Sequence, residues 1–195
     1  MSRRQHGFNL IEVMVTLTVL AVLITLGAPS FAEWMQSQRI RAAAEAMVNG
    51  MQVARAEAIR QNLPIVFGLE PPTTAWTVCP ASVSPCDSTT PAPPAANSFI
   101  QNKSAAEGSS PNTRIAQTPA DVILVTFSPL GSVLNNNADG TLPISQIDVF
   151  QDDPARCSVN GGTMRCLRVV VTPGGSIRMC DPTPGIVAPD TRACP

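Results

Sequence analysis

Glu12 is the residue whose placement most directly implies chemistry. It sits in Phe8-Asn-Leu-Ile-Glu12-Val13, at the start of an apolar run that continues to Leu26, behind a short leader holding Arg3 and Arg4. A charge near the centre of a membrane helix costs about 2.5–3.5 kcal/mol on insertion scales, so an acid inside such a run points to a function. Near the end of the run water lowers that cost, yet the carboxylate still asks for a cation. A cut after Gly7 would create one, the free α-amino group of Phe8.

Catalytic combinations are thin elsewhere. His6, the one histidine, lies in the leader, tyrosine is absent, and Lys103 is the single lysine. Neither a G-x-S-x-G turn nor a carboxylate pair stands out, so the chain reads as a non-enzyme without a cofactor. The cysteines Cys79, Cys86, Cys157, Cys166, Cys180 and Cys194 all follow the apolar run. Arg3 and Arg4 hold the leader in the cytoplasm by the positive-inside tendency, which exports everything after the run. Six cysteines in an oxidising compartment imply disulfides, with fifteen pairings open in principle. Pairing of sequence neighbours is expected: 79 with 86, 157 with 166, and 180 with 194. No pair has C-x2–4-C spacing, so no cysteine metal site is expected.

Two further segments carry candidate ligands. Asn135-Asn-Asn137-Ala-Asp139-Gly140 with Gln146 spaces its oxygens as a calcium loop does, but only Asp139 is charged, and Gln146 stands where a bidentate glutamate would. Asn and Asp also build turns of their own, and a turn is the expectation here. From Arg156 onward five arginines (156, 165, 168, 178 and 192) face Asp181 and Asp190, a basic excess in a net acidic chain. Alternation in a final strand would place Ile177 and Met179 on one face and Arg178 on the other, toward solvent. Removing residues 1–7 leaves 11 basic against 14 acidic residues, which excludes a general nucleic-acid-coating role.

The elements that must position these residues follow from periodicity. Phe8 to Leu26 as helix would span about 28 Å, close to the thickness of a hydrocarbon core of about 30 Å. Beyond Pro29 the pattern turns amphipathic, with Ile40, Met47, Met51, Ala54 and Ala58 at helical spacing and Arg39, Arg41, Glu45, Arg55 and Arg60 mostly off that stripe. One helix from Phe8 to about Asn62, kinked at Pro29 and stopped by Pro64, is expected. Residues 65–69 and 75–79 read as short strands. Glu70 to Pro119 holds nine of the 19 prolines and reads as mostly surface loop. Val122 to Phe127, apolar on both faces, reads as a central strand. Short strands follow near Val133, at Ile147–Phe150, from Met164 to Val171 and from Ser176 to Cys180. Asn160-Gly161-Gly162 between Cys157 and Cys166 suggests a hairpin closed by its own disulfide. The fold class is therefore α+β: a long N-terminal helix, membrane-spanning in its first half, packed on an antiparallel β-sheet or small β-sandwich.

Gly7-Phe8-Asn9-Leu10-Ile11-Glu12-Val13 resembles the prepilin-type cleavage and methylation site of type IV pilins and type II secretion pseudopilins. The resemblance implies cleavage after Gly7 by a membrane prepilin peptidase and methylation of Phe8. It also implies pairing of Glu12 with the terminal amine of a neighbouring subunit, and Pro29 matches the family's early helix proline. Phe127-Ser-Pro-Leu-Gly131, the segment Gly175-Ser-Ile-Arg-Met-Cys-Asp-Pro182 and the last cysteine resemble the GspH/FimT (FimT/FimU-like) group, whose heads are β-rich. The expected organisation is then leader 1–7, membrane and assembly helix 8–29, amphipathic helix 30–63, and periplasmic head 64–195 with a proline-rich insert at about 70–119. The expected function is a minor pilin or pseudopilin of the inner membrane, a subunit of a type IV pilus or of a type II secretion filament. Its partners would be other pilins, the prepilin peptidase and the membrane. Some FimT-like pilins bind DNA through a C-terminal G-R-x-R loop; Gly175-Ser176-Ile177-Arg178 keeps the glycine and the second arginine, so Arg168, Arg178 and Arg192 are candidate DNA contacts. A plain signal peptide cut at Ser30-Phe31-Ala32 is the competing reading, and the mature first residue separates them: Phe8 or Glu33.

Overall fold

The structure is a computed structural model that describes residues 9–83, 86, 99–107 and 110–195, without the side chains of residues 26–30 and 32. One helix, α1, runs from Leu10 to Gln61 and stays helical across Pro29. The chain divides into two compact units, Met1–Gln36 and Ser37–Pro195, and α1 contributes to both. In the second unit α1 buries Ile40, Met47, Met51, Ala54 and Ala58, the apolar stripe read from spacing, and adds Ala43 and Ala44 to it. Small residues at 43, 44, 54 and 58 let the helix backbone lie close against its neighbours. The helix ends where Asn62 takes a left-handed φ of 54°, a conformation asparagine tolerates at a helix C-terminus, and Pro64 then forbids continuation.

Two four-stranded antiparallel sheets complete this unit. The first has the order β3-β2-β1-β5, from β1 (Ile65–Leu69), β2 (Trp76–Pro80), β3 (Gln101–Lys103) and β5 (Leu124–Phe127). The second has the order β4-β6-β7-β8, from β4 (Thr113–Thr118), β6 (Gln146–Gln151), β7 (Leu167–Val171) and β8 (Ile177–Cys180). The α1 stripe shares one apolar cluster with Phe67, Trp76, Val78 and Phe127 from the first sheet and Ile147, Val149, Val169 and Val171 from the second. Gly50 allows the closest approach: a Cβ there would lie 2.9 Å from the rings of both Phe67 and Trp76.

Three expectations are corrected. Val122–Phe127 is not a central strand, because β5 pairs with β1 alone and forms an edge. Its second apolar face is explained by Leu124, which packs on the small cluster of Val66, Cys79 and Cys86. The open edge is covered by the following loop, where Leu134 N–H donates to Thr126 O (2.9 Å) and Ile144 N–H to Leu124 O (3.0 Å). Within the proline-rich stretch the described residues outside β2 include two further short strands that composition did not show, β3 and β4. Thr113 and Ile115 of β4 are buried on either side of Arg114, but Thr113 is polar and the exposed Ala116 apolar, which hides the period-2 pattern. The segment between Cys157 and Cys166 is not a hairpin: it opens with a 3-10 turn, Ser158–Asn160, and a second such turn, Pro154–Arg156, lies just before Cys157. Val133 forms only an isolated bridge to Phe127.

Candidate functional site

Gly7 and Phe8 lie outside the described residues. Asn9 opens α1 by accepting from Glu12 N–H (3.0 Å) and Val13 N–H (3.3 Å), which places the Glu12 carboxylate in the first turn, where the helix dipole favours an anion. Leu10, Ile11, Val13 and Met14 span a full turn around that acid and are 75, 65, 44 and 60% exposed. The same exposure continues through Ile24, so the apolar side chains of this part of the helix are exposed on all its sides. Thr16, Thr18 and Thr25 interrupt the run, but each hydroxyl donates to the carbonyl three residues back (2.8–2.9 Å), which satisfies it within the helix. Glu12 makes no ion pair among the described residues.

Among the described residues no helix is long and apolar enough to cross a membrane. The span expected over 8–29 begins at Phe8 and reaches side chains at 26–29, all outside the described residues; the remainder holds Glu12 and the three threonines.

The head is stapled by disulfides Cys79–Cys86, Cys157–Cys166 and Cys180–Cys194, with no free cysteine. Each joins sequence neighbours. The second and third hold loops that touch: Ser158 and Thr183 share a hydroxyl hydrogen bond of 2.7 Å, and Arg165 Nε donates to Asp181 across the same junction.

The arginines beyond Arg156 do not form an open basic surface. Arg156 pairs with Asp152 (3.6 Å), Arg165 with Asp181, Arg168 with Asp148 (2.7 Å) and Arg192 with Asp190 (2.7 Å). Counting arginines against Asp181 and Asp190 alone missed Asp148 and Asp152, which the fold brings alongside. Arg168 and Asp148 are cross-strand partners in β7 and β6, a relation that appears only once register is known. Arg178 is exposed on β8 and has no ion pair among the described residues. Burial works to raise the Asp181 pKa, but hydrogen bonds from the Thr183 hydroxyl and N–H and from Arg165 outweigh it and hold the carboxyl below its ordinary range. Asp190 is held down to about 2, mainly by the Arg192 guanidinium and backbone N–H.

The calcium-like loop is a turn closed on itself. Asn137 Nδ2 donates to Leu124 O (3.1 Å), Thr141 Oγ1 (3.1 Å) and Leu142 O (3.0 Å), and its Oδ1 accepts from Thr126 Oγ1 (2.9 Å). Asp139 accepts from Thr141 N–H and hydroxyl. The amide that spacing offers to a cation is taken up in holding the loop over the β5 edge.

Spacing also gave no warning of Arg55. Its Nε donates to Gly131 O (2.8 Å) and ties α1 to the turn after β5. Its position off the apolar stripe was the available signal, since an arginine half-buried at a helix margin needs a partner.

A disulfide-stapled β head and a helix with uncovered apolar sides, opened by the acid of a methylation motif, define a subunit of the pilin and pseudopilin class. The chain belongs to the GspH family: the family model for type II transport protein GspH matches residues 43–175, and that for the prokaryotic N-terminal methylation motif matches residues 2–28. Among solved structures, the type IV minor pilin FimU of Pseudomonas aeruginosa is 16% identical at a TM-score of 0.47, covering 72% of this chain and 87% of its own. The minor pseudopilin EpsH of the type 2 secretion system of Vibrio cholerae is 12% identical at a TM-score of 0.47, covering 74% of this chain and 98% of its own. No curated protein matches the sequence.

Proposed function

We propose that this chain is a minor subunit of a type IV pilus or type II secretion filament, with a structural and not a catalytic role. In this reading a prepilin peptidase cuts after Gly7 and the new end at Phe8 is methylated. Residues 8–29 hold the precursor in the inner membrane with its head in the periplasm. The subunit then enters the filament through α1. The observation that carries the reading is the helix between Leu10 and Ile24, whose apolar side chains are exposed on every side. A helix apolar all round needs lipid or other helices as its surroundings, and a filament core supplies the second after a membrane has supplied the first. Glu12 then meets the amine of Phe8 on an adjacent subunit, which fixes the axial register of each incoming copy.

The test is mass spectrometry of the protein extracted from inner membranes. The expected first residue is N-methylated Phe8; a chain beginning at Glu33 would be a secreted product and would overturn the proposal. Genes beside this one distinguish the machines, through pilus minor subunits in one case and a secretin operon in the other. A DNA-uptake role would rest on Arg178, because the remaining C-terminal arginines are paired with carboxylates.

A further inference from the structure

The head contains a pocket of about 270 Å³ where Gln38 and Arg41 of α1 face β7, β8 and the C-terminal segment. Leu167 and Met179 line it with apolar surface, and Arg41, Arg165 and Arg192 line it with guanidinium groups. Each of these arginines has a carboxylate partner. Arg41 donates through Nε to Glu45 (2.8 Å) and Arg165 through Nε to Asp181, so each is gripped at the base of its guanidinium. Among the described residues neither has a partner at its η-nitrogens. Arg192 is held more completely, giving Nε (3.1 Å) and Nη2 (2.7 Å) to Asp190.

We infer that this pocket takes a carboxylate carried on an apolar peptide segment, presented by a neighbouring subunit of the filament. Arg165, held at Nε by the buried Asp181 carboxylate, presents planar donors of the kind that match a carboxylate before the guest arrives, and the exposed Arg41 in the same pocket supplies a second set. Leu167 and Met179 give the apolar part of such a segment a surface to cover. Charge decides against a polyanion. Every pocket arginine has its own acid, so the site offers directed donors without the net positive field that holds a nucleic-acid backbone. The volume suits one or two side chains, below the roughly 300–1,000 Å³ of a site for a drug-sized molecule. Only the source of the peptide, a neighbouring subunit, rests on the filament reading; the binding chemistry stands on the pocket.

The experiment uses the full chain in detergent and a fluorescent acetyl-Leu-Glu-Leu-amide probe followed by anisotropy. Its neutral counterpart carries Gln in place of Glu. The acidic probe should bind about tenfold more tightly than the neutral one, the scale of a charge-assisted hydrogen-bond pair. Arg41→Gln should remove most of that preference without moving the melting temperature, since Arg41 and Glu45 are both more than half exposed (62 and 54%). Equal binding of the two probes, or an Arg41→Gln variant with the preference intact, would overturn the inference. Displacement of the probe by inorganic phosphate at the same concentration would make this a general anion site, and displacement by a short DNA strand a nucleic-acid site; either result also overturns it. Peptide binding that persists in a chain whose N-terminus proves to be Glu33 would keep the pocket and remove the filament as the peptide's source.

Discussion

Gly175, in the turn between β7 and β8, has no Cβ because the carbonyl oxygen of Gly131 occupies the place where one would stand. Both residues have positive φ, 77° and 78°, which glycine adopts without strain. Gly131 O also accepts the Arg55 Nε hydrogen bond, so one carbonyl joins α1, the turn after β5 and the tip of the second sheet. Gly175 thus closes the seam between the two sheets and the helix.

Gly175→Ala should be among the most damaging single changes in the head. It adds backbone strain of about 1–2 kcal/mol for a left-handed non-glycine residue and forces the two turns apart. We expect a total loss of roughly 2–4 kcal/mol, read as a lowered denaturant midpoint with an unchanged slope. Arg178→Ala, three residues along and exposed, should leave the midpoint within about 0.5 kcal/mol of the parent. A parent-like midpoint for Gly175→Ala would show that the seam can open freely.

The acid response of the head follows from Asp181 and Asp190, whose folded pKa values both lie below the ordinary value. A depressed carboxyl contributes stability that is fully present above its unfolded pKa, about 3.9, and is lost as pH falls through its folded value. For Asp190 that value is about 2, so melting temperature should hold from pH 7 to about 5 and then fall steadily between pH 4 and 2. Asp190→Asn should lower the neutral-pH plateau toward the level the parent reaches in acid, and so flatten part of the acid branch. Identical acid branches in the two proteins would contradict this linkage.

The sequence made legible what depends on local pattern. Ile40 to Ala58 declared the buried helix face by spacing alone, and the three disulfides join the neighbours that proximity favours. It was silent where partners come from distant strands. Val122–Phe127 looked central because both faces are apolar, yet one face meets the Cys79–Cys86 cluster and the outer edge is closed by a loop. Arg168 looked like a ligand contact until the register of β6 and β7 set Asp148 opposite it. The pocket arginines were visible individually, but the site is assembled from α1, β7, β8 and the C-terminal segment, which no short window contains.

Removing the last disulfide isolates what the C-terminal segment contributes. Cys180 and Cys194 are 14 residues apart, and closing a loop of about 15 residues is worth about 3 kcal/mol in the chain-entropy model. The segment is otherwise held by the Asp181 N–H bond to Arg192 O (2.8 Å) and the paired Arg192 and Asp190. The double variant Cys180→Ser, Cys194→Ser should lose about 2–3 kcal/mol and be cut by protease after Arg192 faster than the parent. Equal protease resistance in both would mean that the hydrogen bonds alone hold the segment.

Glu12 separates processing from assembly. In the proposed processing, cleavage would depend on Gly7 and Phe8, whereas the Glu12 side chain stands in the first turn of α1 with no ion-pair partner among the described residues of its own chain. A carboxylate in an apolar helix that lacks a cation needs one from outside the chain. Glu12→Ala removes that demand and, in the proposed assembly, the attraction that would set register. We therefore expect normal cleavage and methylation, normal retention in the membrane, and an incorporation into sheared filaments reduced at least about tenfold, the effect of losing about 1.4 kcal/mol per added subunit. Glu12→Asp, which keeps the charge on a shorter stem, should restore part of the incorporation. Immunoblots of filament and membrane fractions from the three strains give the answer, and filaments that carry the alanine variant at the parent level would show that Glu12 does not choose the register.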